Sequence, residues 1–193
     1  MTFTEKVKIR SEPFLLPLVR ALARVKIPPN AVSIAGFIGV GLAGLAIALG
    51  HISWGGILLL VFGPLDAVDG LLARKTNQAS TFGAFLDSTL DRYAEIALFL
   101  GLTYYFLKEG STIGVLLSFL TLTGSLMVSY ARARAEGLKM ECKVGLFTRF
   151  ERLLALTLGL ITGFILPVLV ILALLTHYTA LQRILHVYRQ SQK

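Results

Sequence analysis

A single cysteine, Cys142, stands in 193 residues. No internal disulfide can form, and the thiol reads as an incidental one in a polar loop. Charge is also scarce: Asp, Glu, Lys and Arg make up only 16% of the chain, against about 25% in an average soluble protein. With 55% hydrophobic residues, that shortage excludes an ordinary soluble domain and fits a helical membrane protein. The first thirty residues lack a continuous apolar core, so no cleavable signal peptide is expected. The formal charge is +8, yet the basic residues are not interleaved with aromatics as in a nucleic-acid-binding surface. In a membrane protein such an excess reports topology and contact with anionic lipid. No nucleic acid partner is expected.

What remains is apolar runs broken by a few placed charges. Residues 1–28 mix Lys6, Lys8, Arg10, Arg20, Arg24 and Lys26 with Phe14, Leu15, Leu16, Leu18 and Val19, the pattern of an amphipathic helix lying on a membrane. Ile27-Pro28-Pro29-Asn30 breaks the chain, with Asn30 as the expected N-cap of the next helix. Apolar runs follow at about Ala31–Leu49, Trp54–Ala73, Phe82–Phe106 and Thr112–Ala131, and a last block turns at Gly163 and Pro167 into two. Six spans put every basic cluster on one side of the membrane: the N-terminal arm, Arg74 and Lys75, the loop from Arg132 to Arg152, and the C-terminus. Five would strand the last cluster outside. The expectation is one all-α domain over 1–193, with an interfacial helix (1–28), a six-helix bundle (31–190), and both termini and the active site cytoplasmic. The glycines at 36, 39, 41 and 44 read as helix packing, because a phosphate-binding glycine loop needs a strand-to-helix context that is missing.

Four aspartates sit inside this apolar frame. Asp66 and Asp69 are spaced i,i+3, Asp87 and Asp91 i,i+4, so each pair shares one helix face. Carboxylates at membrane depth are costly without a partner or a cavity. An oxygen-only ligand set without imidazole or thiolate suits a hard divalent cation, Mg²⁺ or Mn²⁺, and four carboxylates can hold two ions for phosphoryl chemistry. Gly70 and Gly83 would admit a ligand close to the backbone. Arg74 can pair with a diphosphate, and Ser80 adds a hydroxyl at the mouth. A lone aspartate would more often be a proton or ion path. Four in helical phase, with two glycines and an arginine, point to metal-dependent work on a phosphate diester or diphosphate.

The segment Asp66-x2-Asp69-Gly70-x2-Ala73-Arg74-x8-Gly83-x3-Asp87-x3-Asp91 resembles the signature of the CDP-alcohol phosphotransferase family, without departure in residue type or spacing. The resemblance implies transfer of a phosphatidyl-type group from a CDP-linked lipid to an alcohol, with release of CMP. It implies two Mg²⁺ ions, one held by Asp66, Asp69 and Asp87, the other by Asp66, Asp87 and Asp91. Asp91 would also be the general base, a role that geometry alone leaves open among several aspartates. Asp69, Gly70, Ala73, Arg74, Ser80 and Gly83, with Pro29, Asn30, Ala31 and Val32, would hold the CDP-lipid. A homodimer is implied as well.

The acceptor is legible in the loop after the fourth span. Arg132 and Arg134 end one helix, and Arg149 and Arg152 open the next, which suits an acceptor that carries a phosphate. The stretches around Asp87–Tyr93, Arg132–Glu136 and Phe150–Leu153 resemble the inositol-phosphate branch of the family. By that resemblance Arg132, Arg134 and Arg152 bind the phosphate of an inositol phosphate. Position 132 is Arg where Lys is frequent, and Thr148-Arg149-Phe150 replaces Glu-Arg-Pro. The rival within the family takes glycerol 3-phosphate; a cation transporter is the rival from another class.

Overall fold

A computed structural model describes residues 3–145 and 148–192, and side chains from Glu12 onward. Among the described residues there are eight helices and no strand: α1 (Phe3–Arg24), α2 (Pro29–Ala48), α3 (Ile52–Phe62), α4 (Leu65–Lys75), α5 (Thr81–Lys108), α6 (Thr112–Gly137), α7 (Arg149–Thr162) and α8 (Ile165–Ser191). An all-helical architecture is what a lipid environment demands, since each helix satisfies its own backbone polar groups.

Helix α1 packs on α4, with Val19 buried against Val68, Leu71 and Leu72, while Phe14 and Leu18 on its other side are exposed. The N-cap of α2 is Pro28, extended at φ −70° and ψ 144°, with Pro29 in the first helical position. The expected cap, Asn30, therefore lies inside the first turn. A preset φ and a missing N–H suit proline to the start of a helix better than any hydroxyl or amide cap.

The apolar run expected as one helix from Trp54 to Ala73 is two, α3 and α4, separated by Gly63 and Pro64. Pro64 has no N–H to continue the α3 ladder and its ring clashes with the preceding turn. The turn between α7 and α8 falls at Gly163, which adopts the left-handed φ of 81°. Pro167 lies in the first turn of α8 rather than in the turn itself, where its absent N–H costs nothing.

The main core joins α2, α3, α5, α7 and α8 through Ala43, Ile47, Leu59, Leu98, Leu102, Leu156, Leu160 and Leu169. Helices α2 and α5 touch backbone to backbone: a Cβ on Gly101 would lie 2.0 Å from the Gly44 carbonyl oxygen, and one on Gly44 would lie 2.6 Å from that of Ala97. The glycine run of α2 is thus a packing surface. Four stretches are long and apolar enough to cross a membrane: Pro29–Ala48, Ile52–Lys75, Thr112–Gly137 and Ile165–Ser191. Helix α5, at 28 residues, carries Asp87, Asp91, Arg92 and Glu95, and α7 has only 14 residues. Each buries one face in the core, through Leu98 and Leu102 of α5 and Leu156 and Leu160 of α7, and leaves the other exposed, as at Leu100 and Leu158.

Candidate active site

The break at Gly63 and Pro64 places Asp66 in the first turn of α4, and Asp69 follows one turn on. Asp69 is 3% exposed, and its Oδ2 accepts a hydrogen bond from the Ser33 hydroxyl of α2. The Ser80 side chain caps α5 by accepting from the Gly83 backbone N–H at 3.0 Å, which fixes the start of the helix nearly two turns before Asp87. Carboxylate oxygens of Asp66, Asp69 and Asp87 all lie within 4.8 Å of one another. Asp91, one turn deeper on α5, stands outside that trio. It is paired instead with Arg149 Nη1 of α7 and, at 3.2 Å, with Arg92 Nη2. Arg149 Nη1 also reaches Asp66 Oδ2 at 2.8 Å. Ser33, Asp66, Asp69, Asp87, Asp91 and Arg149 line one cleft, whose apolar wall includes Phe37, Val40 and Phe62.

Of the expected CDP-binding residues, Asp69 lines the cleft, and others lie at the starts of α2 and α5 and along α4. A Cβ on Gly83 would meet Ser80 Oγ at 3.0 Å and Asn30 Oδ1 at 3.2 Å. The first turn of α2 and the cap of α5 therefore adjoin, although they are far apart in sequence. A Cβ on Gly70 would lie 3.6 Å from Arg74 Nη1; Arg74 is exposed, and Ala73 beside it is half-buried. Pro29 is half-buried and Ala31 exposed, whereas Val32 is committed to the core against α4.

The expected acceptor arginines divide. Arg132 and Arg134 are exposed at the end of α6, Arg132 pairing with Glu136 at 2.8 Å. Arg152 is buried: its Nη2 donates to Glu95 Oε1 at 3.1 Å, and Ser125 Oγ donates to the same oxygen. Beneath the loop, buried Arg183 of α8 donates Nε to the Val144 carbonyl at 3.0 Å and Nη1 to that of Val128, while Gln190 Nε2 donates to the Glu141 carbonyl at 2.8 Å. Arg183 lies within electrostatic reach of both Arg132 and Arg152. Sequence reasoning missed Ser33, Glu95, Ser125 and Arg183. Of these only Glu95 carried a signal, since it extends the Asp87–Asp91 spacing by one more turn.

A family model described as CDP-alcohol phosphatidyltransferase matches residues 26–187, which span the cleft and every helix that builds it. The chain belongs to that family. It is 35% identical to an archaetidylinositol phosphate synthase of Methanothermobacter thermautotrophicus over 86% of each chain. Its fold is similar to the crystal structure of the Mycobacterium tuberculosis phosphatidylinositol phosphate synthase with CDP-DAG bound, at TM-score 0.82, 28% identity and coverage of 90% of this chain and 93% of that one. The same enzyme in complex with manganese and citrate gives TM-score 0.83 at 27% identity, over 90% and 88% of the two chains. This protein is therefore a multi-pass membrane transferase of phospholipid synthesis that binds a divalent metal. The donor set fits such an ion on its own terms, because among the described residues the three convergent carboxylates are paired with one arginine, Arg149.

Proposed function

We propose that the chain transfers a phosphatidyl-type group, on a diacylglycerol or archaeol backbone, from a CDP-linked lipid to a hydroxyl of an inositol phosphate, with CMP as the leaving group. The observation that carries this reading is the convergence of Asp66, Asp69 and Asp87 in one cleft that Arg149 also lines. A carboxylate trio alone would suit many metal enzymes. The arginines Arg132, Arg134, Arg149 and Arg152 fit an acceptor that is itself anionic.

Asp66, Asp69, Asp87 and Asp91 hold two divalent ions, Mg²⁺ by preference and Mn²⁺ as the alternative. When bound, the ions offset the charge of the diphosphate and steady the attacking and leaving oxygens. Gly70 and Gly83 leave room for the nucleotide against the backbone, Arg74 and Ser80 bind its phosphates, and the α2 start (Pro29, Asn30, Ala31, Val32) with Ala73 closes its flank. Asp91 accepts the proton of the acceptor hydroxyl on a carboxylate oxygen. Arg132 and Arg134 meet the acceptor phosphate at the rim, backed by Arg152 in its buried pair. The cleft faces the cytosol, reached by six crossings with both termini on that side, and the whole chain is one domain that pairs as a homodimer.

Purified protein supplied with a CDP-lipid is expected to release CMP only when inositol phosphate is present, and EDTA should abolish the release. Asp91→Asn should keep CDP-lipid binding and lose at least a hundredfold in kcat, the scale of a general base. Turnover with glycerol 3-phosphate and none with inositol phosphate would move the chain to the neighbouring branch. Metal flux into liposomes without CMP release would instead make it a transporter.

A further inference from the structure

Helices α5 and α7 face each other across the cleft and meet through side chains rather than close backbone packing. Two ion pairs bridge them in succession. Asp91 and Glu95 lie one turn apart on α5, and Arg149 and Arg152 are spaced i,i+3 on α7. The first bridge joins Arg149 Nη1 to Asp91 and also to Asp66 of α4. The second joins Arg152 to Glu95, with Ser125 of α6 on the same oxygen. Their surroundings differ. Arg152 and Glu95 are 4% and 5% exposed, whereas Arg149 is 23% and Asp66 38% exposed.

We infer that Arg149 is a displaceable counter-cation: it holds Asp66 and Asp91 together in the metal-free protein, yields them to a divalent cation, and then turns its guanidinium to the phosphate of the acceptor. The inference rests on the metal and acceptor assignments proposed above. Three observations support it. One Arg149 nitrogen spans two carboxylates from different helices, so it occupies oxygens that a bridging cation must also use. A guanidinium and a divalent cation on the same oxygens repel one another, so binding of one weakens the other. The buried Glu95–Arg152 pair anchors α7 one turn below, so exchange requires the Arg149 side chain to move and not the helix. Arg149 lines the cleft together with Asp66, Asp69, Asp87 and Asp91, so its guanidinium borders the space that a cation would enter.

Arg149 is thus a positioning residue for the metal ligands and, once released, an acceptor contact. Cation and acceptor binding become coupled, and by linkage each must tighten the other to the same degree. A merely structural arginine would show no such coupling.

The test is Mn²⁺ titration of the full-length protein in detergent, followed by electron paramagnetic resonance in the absence of lipid substrate. Arg149→Gln should bind Mn²⁺ at least tenfold more tightly than the wild type, with a lower metal-free melting temperature that Mn²⁺ restores. Inositol phosphate should tighten Mn²⁺ binding in the wild type and leave it unchanged in R149Q. In turnover, R149Q should raise the acceptor KM at least tenfold while the CDP-lipid KM stays constant. If R149Q does not fold, Arg149→Lys serves, because a single ammonium bridges two carboxylates less well than a guanidinium; Mn²⁺ should then bind several-fold more tightly than to the wild type. Unchanged or weaker Mn²⁺ binding in either variant overturns the inference. A wild type that binds no Mn²⁺ overturns the metal assignment beneath it. Turnover with glycerol 3-phosphate alone would overturn the acceptor assignment, while tighter Mn²⁺ binding in R149Q would still uphold the exchange.

Discussion

Asp69 and Ser33 form the most sequestered polar pair of the carboxylate cluster, and neither residue explains itself alone. A carboxylate that is 3% exposed requires donors, and the Ser33 hydroxyl supplies one from a helix whose sequence is otherwise apolar and glycine-rich. Ser33→Ala should lower metal-free stability by about 1–3 kcal/mol, the cost of leaving a buried acceptor unsatisfied, and Mn²⁺ should recover much of the loss. Thermal unfolding with and without Mn²⁺ checks this; equal losses in both conditions would show that Ser33 does not serve the carboxylate. The four aspartates were legible in the sequence because spacing puts each pair on one helix face. Ser33 was not, because a hydroxyl in an apolar run announces nothing about a partner 36 positions away. Arg149 and Arg152 were legible as charges at the head of a helix. Spacing could not tell which carboxylate each would meet, and Arg152, expected in the acceptor pocket, lies in a buried pair with Glu95. Cys142 is fully buried and burial pushes its thiol up, in keeping with an inert residue.

At the scale of helices, close backbone contact between α2 and α5 sets the width of the cleft. Gly44→Val should cost roughly 1–3 kcal/mol through overpacking, because the carbonyl of Ala97 lies 2.6 Å from the added Cβ and is backbone that cannot swing aside. Gly41 has nothing within 4 Å of an added Cβ, so Gly41→Ala should leave the melting temperature unchanged or slightly higher. Equal effects at the two positions would contradict the packing described. The role of the glycine run could be read from the sequence, but which glycines touch a neighbour could not, since that depends on the crossing point of two helices. The α3–α4 break was also written in the sequence, as Gly63-Pro64. Continuous hydropathy on both sides concealed it, and the break is what points the Asp66 turn into the cleft.

For the molecule as a whole, the all-helical fold followed from composition. What composition could not supply was the division of labour among helices. Helices α5 and α7 carry Asp87, Asp91, Glu95, Arg149 and Arg152, and α2, α4 and α6 supply Ser33, Asp66, Asp69 and Ser125 to the same network. Charged residues at the centre of a membrane helix cost about 2.5–3.5 kcal/mol each during insertion, and α5 carries Asp87, Asp91, Arg92 and Glu95. As α5 leaves the ribosome it carries Arg92 beside Asp91, but Arg149 and Arg152, which pair with Asp91 and Glu95, have not yet been synthesised, because they open α7. Biogenesis of this protein is therefore expected to be cooperative, with α5 seated in the bilayer only after α7 arrives. Replacing Arg149 and Arg152 together by Gln should reduce labelling from outside the cell of a cysteine placed by Glu109→Cys at the end of α5, with buried Cys142 giving little background. Unchanged labelling would show that α5 inserts alone. The ion pairs across the cleft would then act before any substrate arrives, in assembling the membrane domain around its own acids.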